Sequence, residues 1–342
     1  MIDIDPFTLH LARPLETASG AIEQREGFLV RIRYADAVGL GEATPLAGWT
    51  ETLEECRDAL EWAPELAADE DWGVALGETS APAARHGLAL ALADARAQRE
   101  NTPLYRALGN ERLVRRVPVN ATIGDADRET TVRRATDAVE RGFDCLKVKV
   151  GARAVAEDVE RLGAVREAVG PGVTLRADAN GAWDREQAER AFAAIADLDL
   201  QYVEQPLPAT DVPELSALRD DGVAVALDES LTNRSVTDVL AAEAADYLIL
   251  KPMVLGGPDR ALQAARQARQ AGVTPVVSTT IDGVVARTGA VHVAAAIPEI
   301  PACGLATADL LADDLGPDPA PVTDGRIEVP QSKGLGVEIG DA

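Results

Sequence analysis

Lys149, Asp178, Glu204, Asp228 and Lys251 stand at the C-terminal ends of five successive short, β-branched runs, and Lys147 lies two residues before the first of them. Lysine is scarce, four residues against 29 arginines, and three of the four belong to this series. The two cations are not equivalent chemically, because an ammonium can give up its proton and a guanidinium cannot. The lysines kept at strand ends therefore read as acid/base groups, whereas Lys333, in a Gly-rich tail, reads as ordinary surface. Asp178, Glu204 and Asp228 are separated by 26 and 24 residues, and Lys251 follows 23 later, about one strand-plus-helix unit each time.

Acidic residues are common here, 57 of 342, yet three in a row at preselected strand ends has odds of only about one in two hundred on composition alone. Three oxygen donors without histidine or cysteine suit a hard divalent cation, Mg²⁺ first, with coordination positions left for substrate and water. Period-two alternation puts Lys147 and Lys149 on one strand face and Leu146, Val148 and Val150 on the other. Lysines on either side of a metal suit removal of a proton next to a carboxylate, where the negative charge of an enediolate must be neutralised. Lys149 is the expected base and Lys251 its counterpart on the far side. A second ammonium at Lys147 is expected to disfavour charge on Lys149.

The elements that would carry these groups recur from about Arg116 onward: Val117–Ile123, Cys145–Val150, Val173–Ala179, Gln201–Gln205, Val223–Glu229, Tyr247–Lys251, Pro275–Thr280 and a short run at Cys303–Leu305. Eight runs alternating with helix-periodic segments such as Asp184–Leu198 and Pro258–Ala271 predict an α/β fold, a TIM-type (β/α) barrel with its site at the carboxyl ends of the strands. The preceding part differs, with strands at Phe28–Tyr34 and Gly39–Ala43 followed by helices at Thr52–Ala63 and Pro82–Arg99. Residues 1–112 are accordingly expected to form an α+β capping domain and 113–312 the barrel. The tail, 313–342, is expected to pack back on the cap, after linker signals at Leu108–Asn110 and Gly316–Pro321.

A net charge of −24 and a pI near 4.5 leave no basic surface for nucleic acid or an anionic membrane. Acid excess with little lysine resembles a surface adapted to high salt, where like charges are screened. Three widely spaced cysteines, Cys56, Cys145 and Cys303, with no CxxC, point away from disulfides and zinc and toward a reducing cytoplasm. No targeting signal opens the sequence and no apolar run is long enough to span a bilayer. His10, His86 and His292 lack metal-ligand spacing and read as structural, Leu255–Pro258 reads as the tight start of a helix, and no GxSxG or Ser/His/Asp arrangement supports nucleophilic hydrolysis. The sequence leaves a monomer or a homo-oligomer open.

The ordered set KVK (147–149), DAN (178–180), EQP (204–206), DES (228–230) and LKP (250–252) resembles the enolase superfamily, within its muconate-lactonizing-like subgroup. Two more segments, Gly39–Cys56 and Cys303–Asp314, are similar to the o-succinylbenzoate synthase family of dehydratases. The resemblance implies a small carboxylate substrate, a cyclohexadiene bearing a hydroxyl and a succinyl chain, and syn loss of water in menaquinone biosynthesis. It implies that Asp178, Glu204 and Asp228 hold Mg²⁺. Lys149 would take the proton next to the ring carboxylate and return it to the departing hydroxyl, and Lys251 would stand on the opposite ring face. Asn180 would support the metal site, Ser278, Thr279 and Thr280 would bind the succinyl carboxylate, and Thr17–Gly27 would be a specificity loop. Racemases, dipeptide epimerases and cycloisomerases of the superfamily use the same lysines and metal. However, Leu305–Asp309 lacks the Asp-x-Asp of the epimerases, and Lys251-Pro-Met-Val lacks the KPGR of racemase-capable synthases. Both absences favour a dedicated dehydratase over an isomerase, and a catalytically silent barrel would be expected to have lost at least one of the five charged strand-end groups, all of which are present.

Overall fold

A computed structural model describes residues 2–17, 20–219 and 222–340. A three-stranded antiparallel sheet comes first, from β1 (Ile2–Thr17), β2 (Gly20–Tyr34) and β3 (Ala37–Ala43). Alternation along β2 turns Phe28, Val30 and Ile32 into one small core with the helices Leu53–Asp69 and Pro82–Arg99, while Leu29 faces a second with Leu90 and Val285. Thr52 and Glu55 close a reciprocal capping box at the start of the first helix. β3 lies directly on the second: a Cβ at Gly39 or Gly41 would sit 1.9 Å from the carbonyl oxygens of Ala91 and Gly87. Only glycine allows that approach.

Thr17–Gly27, expected to be a loop, is mostly hairpin. Residues 15–17 pair with residues 20–22, the register shifts between Leu15 and His10, and pairing resumes from His10 with Gln24 through Phe7 with Gly27; residues 18 and 19 of that segment lie outside the described set.

The first barrel run divides at Val119–Asn120. β4 (Arg116–Pro118) leaves the main sheet, and β5 (Ala121–Ile123) begins it. Then follow β6 (Cys145–Lys149), β7 (Thr174–Asp178), β8 (Leu200–Glu204), β9 (Val225–Leu227), β10 (Tyr247–Leu250) and β11 (Thr274–Val277), giving seven parallel strands ordered β5 to β11 along a curled sheet. Helices bury the outer face in one large apolar cluster; Tyr202, Ala226, Ile249 and Val276 form a small one inside the curl. Cys303–Leu305 does not form the expected eighth strand. Cys303 and Gly304 make only isolated parallel bridges, to Val119 on one edge and Ser278 on the other, so the last segment touches both edges without a ladder to either. Arg176, fully buried within the curl, holds this segment by donating to the Ala302 carbonyl at 2.8 Å and to Asn120 Oδ1 at 3.2 Å, while lying over the Tyr202 ring.

The tail splits its contacts. β12 (Val322–Thr323) and β13 (Arg326–Glu328) build a small sheet with β4, not with the cap. Further on, the Leu335 amide donates to Asp94 and the Gly334 carbonyl accepts from the Leu104 amide, and both partners belong to the first part of the chain.

Candidate active site

The register of the parallel sheet fixes the site. Lys149, Asp178 and Glu204 are mutual partners across β6, β7 and β8, so their side chains leave the sheet at one level; Lys147, Arg176 and Tyr202 form the level beneath. Asp228 follows β9 and Lys251 follows β10. Five adjacent strands thus present lysine, carboxylate, carboxylate, carboxylate, lysine in order. Three ammoniums offset three carboxylates here, so the local balance differs from the −24 of the whole chain.

Lys149 Nζ donates to Asp178 Oδ2 and Asn180 Oδ1, both at 2.7 Å. Lys251 Nζ donates to Asp228 Oδ2 at 2.6 Å and lies 3.6 Å from the centre of the Trp49 ring, which arrives from the segment after β3. Lys147 Nζ sits between Glu204 Oε1 at 2.7 Å and Asp178 Oδ2 at 2.9 Å. Burial alone would lower the Lys147 ammonium, but the two carboxylates outweigh it and hold it well above the ordinary lysine range. Its visible duty is to neutralise carboxylates, which differs from the repulsive role toward Lys149 read from the sequence.

The carboxylates divide accordingly. Burial would raise Asp178, yet Lys147 and Lys149 hold it well below the usual range. Glu204 is pushed up to about 7 by burial and by Asp178, and Asp228 to about 6 by burial that Lys251 only partly offsets. Among the described residues no three His, Cys, Asp or Glu side chains are gathered closely enough to hold an ion, because each strand-end carboxylate is turned onto an ammonium. The donors nevertheless fit a hard cation. All are carboxylate oxygens, and Glu204 Oε2 is buried without a partner, a lone-pair site that Mg²⁺ would satisfy.

The flanking residues are held tightly. Asn180 and Gln205, immediately beyond strand ends, adopt left-handed backbone at φ 46° and 40°. Gln205 Oε1 accepts from the amides of Asp228 and Ser230, fixing the turn that carries Asp228, and Asn180 Nδ2 donates to Glu229 Oε1 at 2.9 Å. Ser278 donates its hydroxyl to the Gly304 carbonyl, and Thr280 donates to Asp282. Thr279 shares a 3.1 Å contact with Thr307 in which either can donate, so of the three hydroxyls it is the one with a proton to redirect. Trp49, Glu229 and Thr307 lie within Gly39–Cys56, DES and Cys303–Asp314, but nothing in their spacing assigns them a role, and only the fold brings Trp49 to Lys251.

The histidines lie elsewhere. His86 Nδ1 is bonded to the Glu42 carbonyl, His292 to the Leu335 carbonyl, and His10 to Asp313. The three cysteines are free and buried, and no helix among the described residues is long and apolar enough to cross a membrane.

Residues 130–342 match the family model for the enolase C-terminal domain-like fold, and residues 7–95 match that of the MenC N-terminal domain. The chain is 36% identical to o-succinylbenzoate synthase of Thermobifida fusca, over 97% of this chain and 91% of that protein. It is 28% identical to chloromuconate cycloisomerase of Pseudomonas sp. strain P51, over 96% and 92%. Among solved structures, the dipeptide epimerase of Enterococcus faecalis complexed with Mg and the dipeptide L-Leu-L-Tyr superposes with a TM-score of 0.87 at 27% identity, covering 98% of each chain.

Proposed function

The chain belongs to the enolase superfamily, and on that premise we propose that it is a Mg²⁺-dependent o-succinylbenzoate synthase, a hydro-lyase built on a (β/α) barrel with an α+β cap. The five-strand row in which Lys149 and Lys251 flank three carboxylates supports metal-assisted proton abstraction, and the observation that carries the choice of dehydration is the 36% identity to a synthase over 97% of the chain. Asp178, Glu204 and Asp228 would hold the cation, which supplies the positive charge that makes a carbon beside a carboxylate acidic enough to be deprotonated.

The chain's own groups account for the remaining steps. Lys149 Nζ, fixed by Asp178 and Asn180, removes the proton and delivers it to the departing hydroxyl from the same face, giving syn elimination. Lys251, held by Asp228 and covered by Trp49, offers an ammonium to the electron-rich ring from the other face. Lys147 keeps the carboxylate row from repelling an anionic substrate. Thr279 is the hydroxyl placed to meet the succinyl carboxylate. The greater identity to a synthase than to a cycloisomerase supports dehydration, and so does Leu305–Asp309, which offers Thr307 rather than an Asp-x-Asp pair.

The test is a spectrophotometric assay with the succinyl-hydroxycyclohexadiene carboxylate, with Mg²⁺ or chelator, at low and molar salt. Mg²⁺-dependent aromatisation is expected. Exchange of substrate α-protons with D₂O, without loss of water, would instead assign a racemase, epimerase or cycloisomerase.

A further inference from the structure

Away from the carboxylate row, the seam between the first sheet and the barrel holds a second buried ionic cluster that the proposed chemistry does not use. Glu42, on β3, has no exposed surface. Its Oε1 accepts from the Gly283 amide at 2.7 Å and from the Thr44 hydroxyl at 2.6 Å, and its Oε2 accepts from the Ala286 amide at 2.9 Å. Gly283 and Ala286 begin the barrel helix Val284–Ala296, 241 and 244 residues further along, so a strand of the cap supplies the anionic cap of a barrel helix. The backbone leaves room for it: a Cβ at Gly283 would lie 2.9 Å from Glu42 Oε2.

The same turn is gripped from the other side. Arg25, on β2 and 3% exposed, donates to the Ile281 carbonyl at 3.3 Å and to the Thr44 and Pro45 carbonyls at 2.9 and 3.2 Å. Ile281 has φ 62°, a left-handed conformation that a β-branched residue adopts only where its surroundings impose it. Asp282 completes the turn by accepting from the amide and hydroxyl of Thr280. The strained residue lies between the helix that Glu42 caps and the threonines at the mouth.

We propose that Glu42 and Arg25 are positioning residues: from the cap they hold the turn 279–282 in the conformation that presents Thr279 to substrate, so that docking of the cap sets the geometry of the mouth. The substrate-facing half rests on the function proposed above; the clamp itself does not. Glu42→Gln is a sharp probe, because either orientation of the amide sets its NH₂ against the Gly283 or the Ala286 N–H. Arg25→Met removes the other grip, and Gly283→Ala displaces the carboxylate without deleting it.

Amide hydrogen exchange of full-length protein should speed up at least tenfold at Gly283 and Ala286 in Glu42→Gln and in Gly283→Ala, with the barrel strands unchanged. In Arg25→Met the faster exchange should centre on 280–283. With the cyclohexadiene substrate, KM should rise about tenfold in each variant while kcat stays within about threefold, a split that simple loss of folded protein would not produce. Unchanged exchange in all three variants overturns the proposal, as does faster exchange with KM unchanged. If one variant does not fold, the other two decide. If the wild type turns over no such substrate, the dehydratase reading falls and the exchange data still decide the clamp.

Discussion

Two buried glutamates make the instructive comparison. Glu42 at the seam and Glu204 at the mouth are each pushed up to about 7, first by burial and next by a facing aspartate, Asp282 in one case and Asp178 in the other. The surroundings then diverge. The Glu42 carboxylate accepts from neutral donors, two backbone amides and a hydroxyl, and both oxygens are used. Glu204 faces an ammonium through one oxygen and nothing through the other. Asp94 follows Glu42, with both oxygens taken by Leu40, Leu335 and Gln98. A perturbed carboxyl therefore does not mark a site by itself. A carboxylate saturated by neutral donors is scaffold, and one left incomplete among ammoniums is available to a ligand.

The strongest attempt to break this comparison is at the mouth. Lys149→Arg should keep the fold and lose at least about a thousandfold in kcat, since a guanidinium cannot become a neutral base; residual turnover above about 10% of wild type would remove Lys149 from the mechanism. A third buried group, His292, extends the scaffold side. Burial pushes it down to about 4, its ring accepts from the Tyr105 amide, and its other nitrogen meets the Leu335 carbonyl. The unfolded chain takes up this proton near pH 6.5 and the native state only near 4, so stability should rise with pH across that window, by at most about 3 kcal/mol. Glu42 acts in the opposite sense, because its raised carboxyl binds a proton more tightly in the native state and loses stability as pH climbs from about 4.5 to 7. Urea titrations of wild type and His292→Asn at pH 4.5 and 7 separate the two.

Paired amide substitutions sharpen the contrast. Glu42→Gln should cost about 1–2 kcal/mol net, because an amide NH₂ set against a helix N–H outweighs the relief of a buried charge beside Asp282. Glu204→Gln, measured with chelator present, should stay within about 1 kcal/mol, since its carbonyl oxygen can still accept from Lys147, and the lost ionic character of that bond is offset by relief of repulsion from Asp178 and Asp228. Equal costs would dissolve the distinction. The smallest effect is expected at Trp49→Leu, about 1 kcal/mol of lost cation–π stabilisation on Lys251, read as about a fivefold fall in kcat.

What the sequence disclosed follows from the range of the interactions. Strand ends announce themselves through alternation and βα spacing, so Lys149, Asp178, Glu204, Asp228 and Lys251 could be picked out without coordinates. Glu42 could not: inside Gly-Leu-Gly-Glu-Ala it looks like any strand residue, and its two backbone amide donors lie more than 240 positions away. Trp49 was obscured for the same reason. Cys303–Leu305, short and apolar, has the pattern of an eighth strand, whereas its backbone bonds are divided between two edges. Val117–Ile123 has the pattern of one strand but divides between two sheets, where Pro118 offers no amide to extend a ladder.

That divided seam has a consequence for how the molecule is made. The edge at Val117–Val119 finds its partners only at Cys303 and Ile327, about 200 residues later. During synthesis at about 5–20 residues per second, that edge would wait on the order of 10 s or more, a raw hydrogen-bonding rim beside an emerging chain. C-terminal truncations that remove those partners leave the edge open and should accumulate as aggregates rather than as smaller folded proteins, read as the insoluble fraction on expression.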